Sequence, residues 1–152
     1  MIKWKSLIIS IIIPIALGFI GSLLGNVSNG FEGINKPSFT PPAVVFPIAW
    51  TILYILMGIS SYLIYESDDI HKMDALKLYG VQLVINALWS IFFFNLKWFL
   101  FSFILVLIIL FLVIVMTFKF YKINKTAAYL QIPYILWLLF ASVLSLNVYF
   151  LN

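Results

Sequence analysis

Five long apolar runs separated by polar breaks set the pattern of this chain, at roughly residues 7–24, 42–65, 76–94, 98–120 and 126–151. Each comes close to the ~20 residues that a helix needs to cross about 30 Å of hydrocarbon. The pattern therefore predicts five spanning helices. A cleaved signal peptide is the rival reading of the first run, because Lys3 and Lys5 precede it. The run is long and holds no convincing small-residue cleavage site, which favours a span. The breaks differ in character. Residues 25–41 are rich in Gly, Asn and Ser, Glu66 to Lys72 is short and charged, and Tyr121 to Lys125 is basic. Only residues 25–41 have the length to fold over a bundle and cap it; a flexible connector is the alternative.

Inside the runs, polar and aromatic positions recur at helical spacing. Pro41 and Pro42 lack backbone donors, and a helix can begin at or just after them. It would carry Trp50, Tyr54 and Met57 on one face. In the first run Pro14, Gly18, Gly21 and Gly25 line one groove-like face for a neighbouring helix or a ligand. The third run holds Gln82 and Asn86 one turn apart, with Trp89 and Phe93 on the same stripe. An unpaired amide in an apolar medium costs roughly 2–7 kcal/mol, so both must face inward, as interhelical glue or as handles for a ligand. The fifth run places Tyr134, Trp137, Ala141 and Ser145 on one stripe, with Pro133 expected to bend it. The fourth is nearly uniform Leu, Ile, Val and Phe and reads as a lipid-facing wall without chemistry. Combined, the stripes are either core packing or the walls of a deep apolar cavity. Such a cavity would hold Trp50, Tyr54, Trp89 and Trp137, with Asn86 and Gln82 as its only polar handles, and would suit a large flat aromatic ligand.

Composition removes the soluble alternative. The chain is 64% hydrophobic and 9% charged, against about 25% charged in soluble proteins. It is an all-α integral membrane protein by this reading, a single five-helix transmembrane domain in contact with the lipid bilayer. The nine lysines sit singly between apolar runs, unlike the clustered basic face of a nucleic-acid binder, so no nucleic-acid partner is expected. Lys3, Lys5, Lys72, Lys77, Lys119, Lys122 and Lys125 fall on one side of the membrane and Lys36 and Lys97 on the other. That asymmetry predicts the N-terminus inside and the C-terminus outside. Cysteine is absent and His71 is the only histidine, which excludes thiolate sites and histidine-rich metal clusters. Glu32, Glu66, Asp68, Asp69 and Asp74 all lie in loops or at helix ends, leaving no carboxylate at membrane depth for hydrolysis or an ion relay. Nucleotide-binding glycine patterns are absent too.

Three blocks together resemble the translocator protein family, also called tryptophan-rich sensory proteins or peripheral-type benzodiazepine receptors. The first is Lys36-Pro37-Ser38-Phe39-Thr40-Pro41-Pro42, continuing through Pro47, Trp50, Tyr54, Met57 and Gly58. The second is Tyr79, Gln82, Leu83, Asn86, Trp89, Phe92 and Phe93; the third is Pro133-Tyr134, Trp137, Phe140-Ala141 and Leu144. The resemblance covers nearly the whole chain and implies a bacterial member in the cytoplasmic membrane: a five-helix bundle, often a homodimer, whose first loop caps a pocket. It implies binding of porphyrins such as protoporphyrin IX and of isoquinoline carboxamides. The matching pocket positions are Trp50, Tyr54, Asn86, Trp89, Trp137 and Ala141, with Phe31, Pro41 and Pro42 from the loop. Trp50 and Trp137 match the tryptophans linked to light-dependent porphyrin breakdown in some bacterial members. No cofactor is required, the porphyrin being ligand or substrate. Phe39 stands where the family usually has Trp, and Ser145 where many members have Asn. The closing Leu146 to Asn152 carries no Lys or Arg, which makes cholesterol a doubtful partner. A porphyrin receptor or sensor is the leading function, with porphyrin degradation and porphyrin or lipid transport as alternatives; inverted repeats, which transport would favour, are missing.

Overall fold

The computed structural model describes residues 1–152, the side chain of Asn29 apart. Its elements are α1 (Trp4–Leu24), α2 (Val45–Tyr65), α3 (Lys72–Ser90), α4 (Phe99–Ile123), a short α5 (Lys125–Tyr129) and α6 (Ile132–Leu151). No strand occurs among the described residues. Five helical stretches are long and apolar enough to span a membrane, the last formed by α5 and α6 together. These helices begin and end within about four residues of the apolar runs. α3 starts a turn earlier than its apolar run, with Asp74 in its first turn, where a carboxylate favours the helix dipole.

The helices close into a ring in the order α1, α2, α5/α6, α4, α3. Small residues set the distances. A Cβ on Gly21 would come within 2.8 Å of the Ala87 carbonyl oxygen, and one on Gly25 within 2.7 Å of Ser90 backbone, so α1 rides directly on α3. A Cβ on Gly58 of α2 would meet the Ile11 Cα of α1 at 2.5 Å. Lipid offers no hydrophobic drive between helices, so such close backbone approach supplies the association.

α4 departs from the expected lipid wall. Ser102, Val106, Ile109, Val113, Met116 and Phe120 form one stripe, none more than 2% exposed, while Phe111 and Phe118 on the far side are 67% exposed. One face of α4 is the centre of the bundle, packed on α3 and α6. α1 is the helix with most lipid-exposed surface: of its 21 residues only Pro14 and Gly21 are buried.

Two irregularities shape the site. After Ser90 the third span widens into a π-helical turn over Ile91–Asn95, with the Leu96 N–H bonded to the Ile91 carbonyl at 2.9 Å. The last span breaks at Leu130–Gln131 and restarts at Ile132 with Pro133 in its first turn, where its missing N–H costs nothing. The bend expected at Pro133 is thus a break. It lets the Gln131 side chain reach Ser60 Oγ at 2.9 Å, and Ser60 in turn donates to the Ala127 carbonyl at 2.7 Å.

Candidate functional site

Asn86 and Gln82 face the interior as their cost outside it demands; they are 6% and 0% exposed. Both are tied to α6 through one hydroxyl. Asn86 Nδ2 donates to Tyr134 Oη at 2.6 Å, and Tyr134 Oη donates to Gln82 Oε1 at 2.7 Å. Gln82 Nε2, Tyr79 Oη and Gln131 Oε1 are buried without a partner among the described residues.

Above this network lies a cavity lined by Trp50, Asn86, Trp89, Val106, Ile109, Leu138 and Ala141. Its volume is about 10 Å³, room for a single water. The deep cavity expected from the stripes is therefore not open: the rings that would wall it fill it instead. Trp50 stacks on Tyr54 at 5.5 Å and meets Trp137 edge-on at 6.2 Å and Tyr134 at 6.1 Å. Trp89 stacks on Phe93 at 4.7 Å, and its indole N–H is held by the Ser102 carbonyl at 3.1 Å.

The rings continue to the first loop. Phe46 bridges Trp137 at 5.9 Å to Phe31 at 5.6 Å, and Phe31 also meets Phe93 at 6.0 Å and Phe94 at 5.6 Å. The loop is thereby packed as a cap, with Ile34 buried and Phe39 resting edge-on against Phe140 at 6.3 Å. Asn35 fastens it to the end of α6. Its N–H donates to Asn152 Oδ1 at 3.0 Å, its carbonyl accepts from Asn152 Nδ2 at 2.7 Å, and its Nδ2 donates to the Leu151 carbonyl at 3.2 Å.

Of the candidate residues, the structure gathers Trp50, Asn86, Trp89 and Ala141 on the cavity wall. Tyr54 and Trp137 pack on Trp50, and Gln82 lies two hydrogen bonds behind Asn86, through Tyr134 Oη. Phe31 and Phe93 form the roof. Gly21, Pro41 and Pro42 do not line the cavity. Gly21 is taken up by the contact with Ala87, and Pro42 is exposed and precedes α2, its carbonyl accepting from Val45 N–H at 2.9 Å. Val106, Ile109 and Leu138 are walls that uniform apolar composition concealed. Tyr134 is the junction, and its signal was available: a tyrosine at membrane depth needs a partner for its hydroxyl.

The sequence profile described as the TspO/MBR family matches residues 10–151. The chain belongs to that family. It is 36% identical to the tryptophan-rich protein TspO of Archaeoglobus fulgidus over 148 residues, 96% of each chain. It is 31% identical to the tryptophan-rich sensory protein of Cereibacter sphaeroides over 80% of this chain and 76% of that one. Against the human translocator protein it is 31% identical over 84% of this chain and 78% of the relative. Family membership and the five apolar helices together make this an all-α integral membrane protein.

Proposed function

We propose that this protein is a membrane receptor or sensor for a flat apolar tetrapyrrole of the protoporphyrin IX class, which isoquinoline carboxamides can also occupy. The observation that carries the reading is the convergence of Trp50, Trp89 and Ala141 on Asn86 at one cavity, with Trp137 and Tyr54 packed against Trp50. Indole faces suit a macrocycle, and one amide fixes its register. Gln82 Nε2, a buried donor without a partner among the described residues, lies behind this wall and becomes a second polar handle only once the rings part. Names of relatives such as "tryptophan-rich sensory protein" agree with a sensing role. Ligand pockets run to about 300–1,000 Å³, so binding on this reading parts the rings and lifts the cap, and the free protein rests closed. The lysine distribution supports an inner N-terminus; a homodimer in the bacterial cytoplasmic membrane rests on the family resemblance alone.

The test is a porphyrin titration of the reconstituted protein followed by tryptophan quenching. Loss of one stacking partner and one hydrogen bond, each worth about 0.5–1.5 kcal/mol, should weaken binding about tenfold or more in Trp137→Ala with Asn86→Ala. Unchanged affinity in that double variant overturns the proposal. The contact between Trp50 and Trp137 favours a second reading, light-driven oxidation of the bound macrocycle: the photoexcited ring takes an electron from an indole and passes it to dioxygen, and the indole radical cation recovers its electron from the ring, which is left oxidised. Product formation under light that persists in Trp50→Phe with Trp137→Phe excludes it.

A further inference from the structure

At the end of the bundle opposite the cap, α1 and the turn after α2 bound an open groove of about 780 Å³. Its two ends differ in chemistry. The outer end presents Lys3 just before α1, Lys5 and Ser6 of α1 and Lys72 of α3, beside Glu66 and Asp68, with the Ser6 hydroxyl bonded to the Glu66 carboxylate. Lys3 Nζ is paired with Glu66 Oε2 at 3.0 Å. Lys72 Nζ is pinned by the carbonyls of Tyr65 at 2.9 Å and Ser67 at 3.0 Å, which fixes its charge at the groove's edge. Lys5 has no carboxylate partner among the described residues. Three lysines against two carboxylates leave the groove one net positive charge.

The inner end is mainly apolar, formed by Ile9 and Ile13, each 47% exposed, with Ser10 between them. From Lys3 to Ile13 the helix rises about 15 Å, half the hydrocarbon thickness of roughly 30 Å. Trp4, 64% exposed, sits at the level where indoles favour the membrane interface. The groove thus runs from the headgroup layer into the acyl region. A soluble anion would leave Ile9 and Ile13 without a partner, and a zwitterionic lipid would leave the excess lysine charge unmatched. Basic recesses between spanning helices suit anionic headgroups.

We propose that this groove binds a single anionic phospholipid, its phosphate between Lys5 and Lys72 and an acyl chain along Ile9 and Ile13. The site is separate from the aromatic cavity and stands whether or not a tetrapyrrole binds there.

The full chain, reconstituted in vesicles of equal phosphatidylglycerol and phosphatidylcholine, is released and its retained lipid counted by native mass spectrometry. One phosphatidylglycerol per chain is expected. Lys5→Gln should lower its preference over phosphatidylcholine by about fivefold, the worth of one lysine at an anionic surface. Lys122→Gln, at the same end of the bundle but outside the groove, should leave the preference intact. Ile13→Trp, which fills the apolar end, should reduce retention of both lipids. An equal loss in Lys5→Gln and Lys122→Gln would reduce the effect to general surface charge and overturn the site. So would the absence of any preference in the unaltered chain, retention unchanged in Ile13→Trp, or displacement by inorganic phosphate, which would make it a free-anion site.

Discussion

Tyr134 Oη accepts from Asn86 Nδ2 at 2.6 Å while donating to Gln82 Oε1 at 2.7 Å, so one phenol on α6 joins two amides one turn apart on α3. Tyr134→Phe would strand both amides inside the bundle, Gln82 fully buried and Asn86 facing a cavity with room for one water at most. Buried polar groups left without partners cost about 1–3 kcal/mol, although interhelical bonds in membranes average nearer 0.6 kcal/mol. The expected result is a fall in unfolding stability of about 1 kcal/mol or more, read from thermal unfolding in detergent. Adding Gln82→Leu, which removes one stranded group, should recover part of that loss. Strict additivity of the two changes would show that the amides do not depend on this hydroxyl.

The two faces of α3 show what a sequence does and does not reveal. Gln82 and Asn86 announce themselves because amides stand out in an apolar run, and the energetic penalty for facing lipid dictates where they point. α4 gives no such contrast. Its buried face, Val106 to Phe120, and its exposed face, Phe111 and Phe118, are built from the same residue types. In a membrane, burial does not sort apolar side chains from one another. The collapse of the cavity was equally hidden, because spacing places Trp50 and Trp137 on inward stripes without stating whether they meet. They do, edge to face at 6.2 Å. The π-helical turn at Ile91–Asn95 carries no sequence signal that distinguishes it from the helix before it.

Gly21 and Gly80 should respond oppositely to the same change. A Cβ at Gly21 would lie 2.8 Å from the Ala87 carbonyl oxygen, a backbone atom that cannot step aside alone; nothing lies within 4 Å of a Cβ at Gly80. Gly21→Ala must spread α1 from α3, and overpacking of this kind costs about 1–3 kcal/mol. Gly80→Ala should be neutral or stabilising by up to about 1 kcal/mol, the backbone-entropy gain of alanine in a helix. Thermal unfolding of both variants checks this. A Gly21→Ala protein as stable as the parent would mean that the α1–α3 contact is looser than described.

Asn152 makes two of the three hydrogen bonds that hold Asn35 and the cap against α6. Asn152→Ala removes both. At about 0.5–1.5 kcal/mol each at most, and less where water competes, opening of the cap should become roughly five- to thirtyfold more frequent. Hydrogen exchange of the Phe31 to Asn35 amides should quicken accordingly. On the proposed function, porphyrin association and dissociation should both accelerate, with a smaller change in affinity. Unaltered exchange would assign closure of the cap to Phe31 and Ile34 rather than to the clasp.

The Lys3–Glu66 pair, 3.0 Å across, joins the start of α1 to the end of α2 outside the spans. The Lys3 ammonium holds the Glu66 carboxyl below its ordinary 4.5, and Glu66 holds the Lys3 amine above its ordinary 10.5. A depressed acid stabilises the fold above its unfolded pKa and loses that contribution as pH falls through the folded one. A raised base stabilises below its unfolded pKa and loses it as pH rises through the folded one. The pair is therefore fully effective between pH 4.5 and 10.5 and fades beyond either limit. Lys3 is exposed and Glu66 only partly buried at the surface, so the contribution is small and screened by salt. Glu66→Gln should lower the thermal midpoint slightly at neutral pH and low salt. That difference should vanish well below pH 4.5 and again in concentrated salt. No difference at any pH would assign the α1–α2 junction to the bond between the Lys3 N–H and Tyr62 Oη, at 2.9 Å, which neither proton nor salt disturbs.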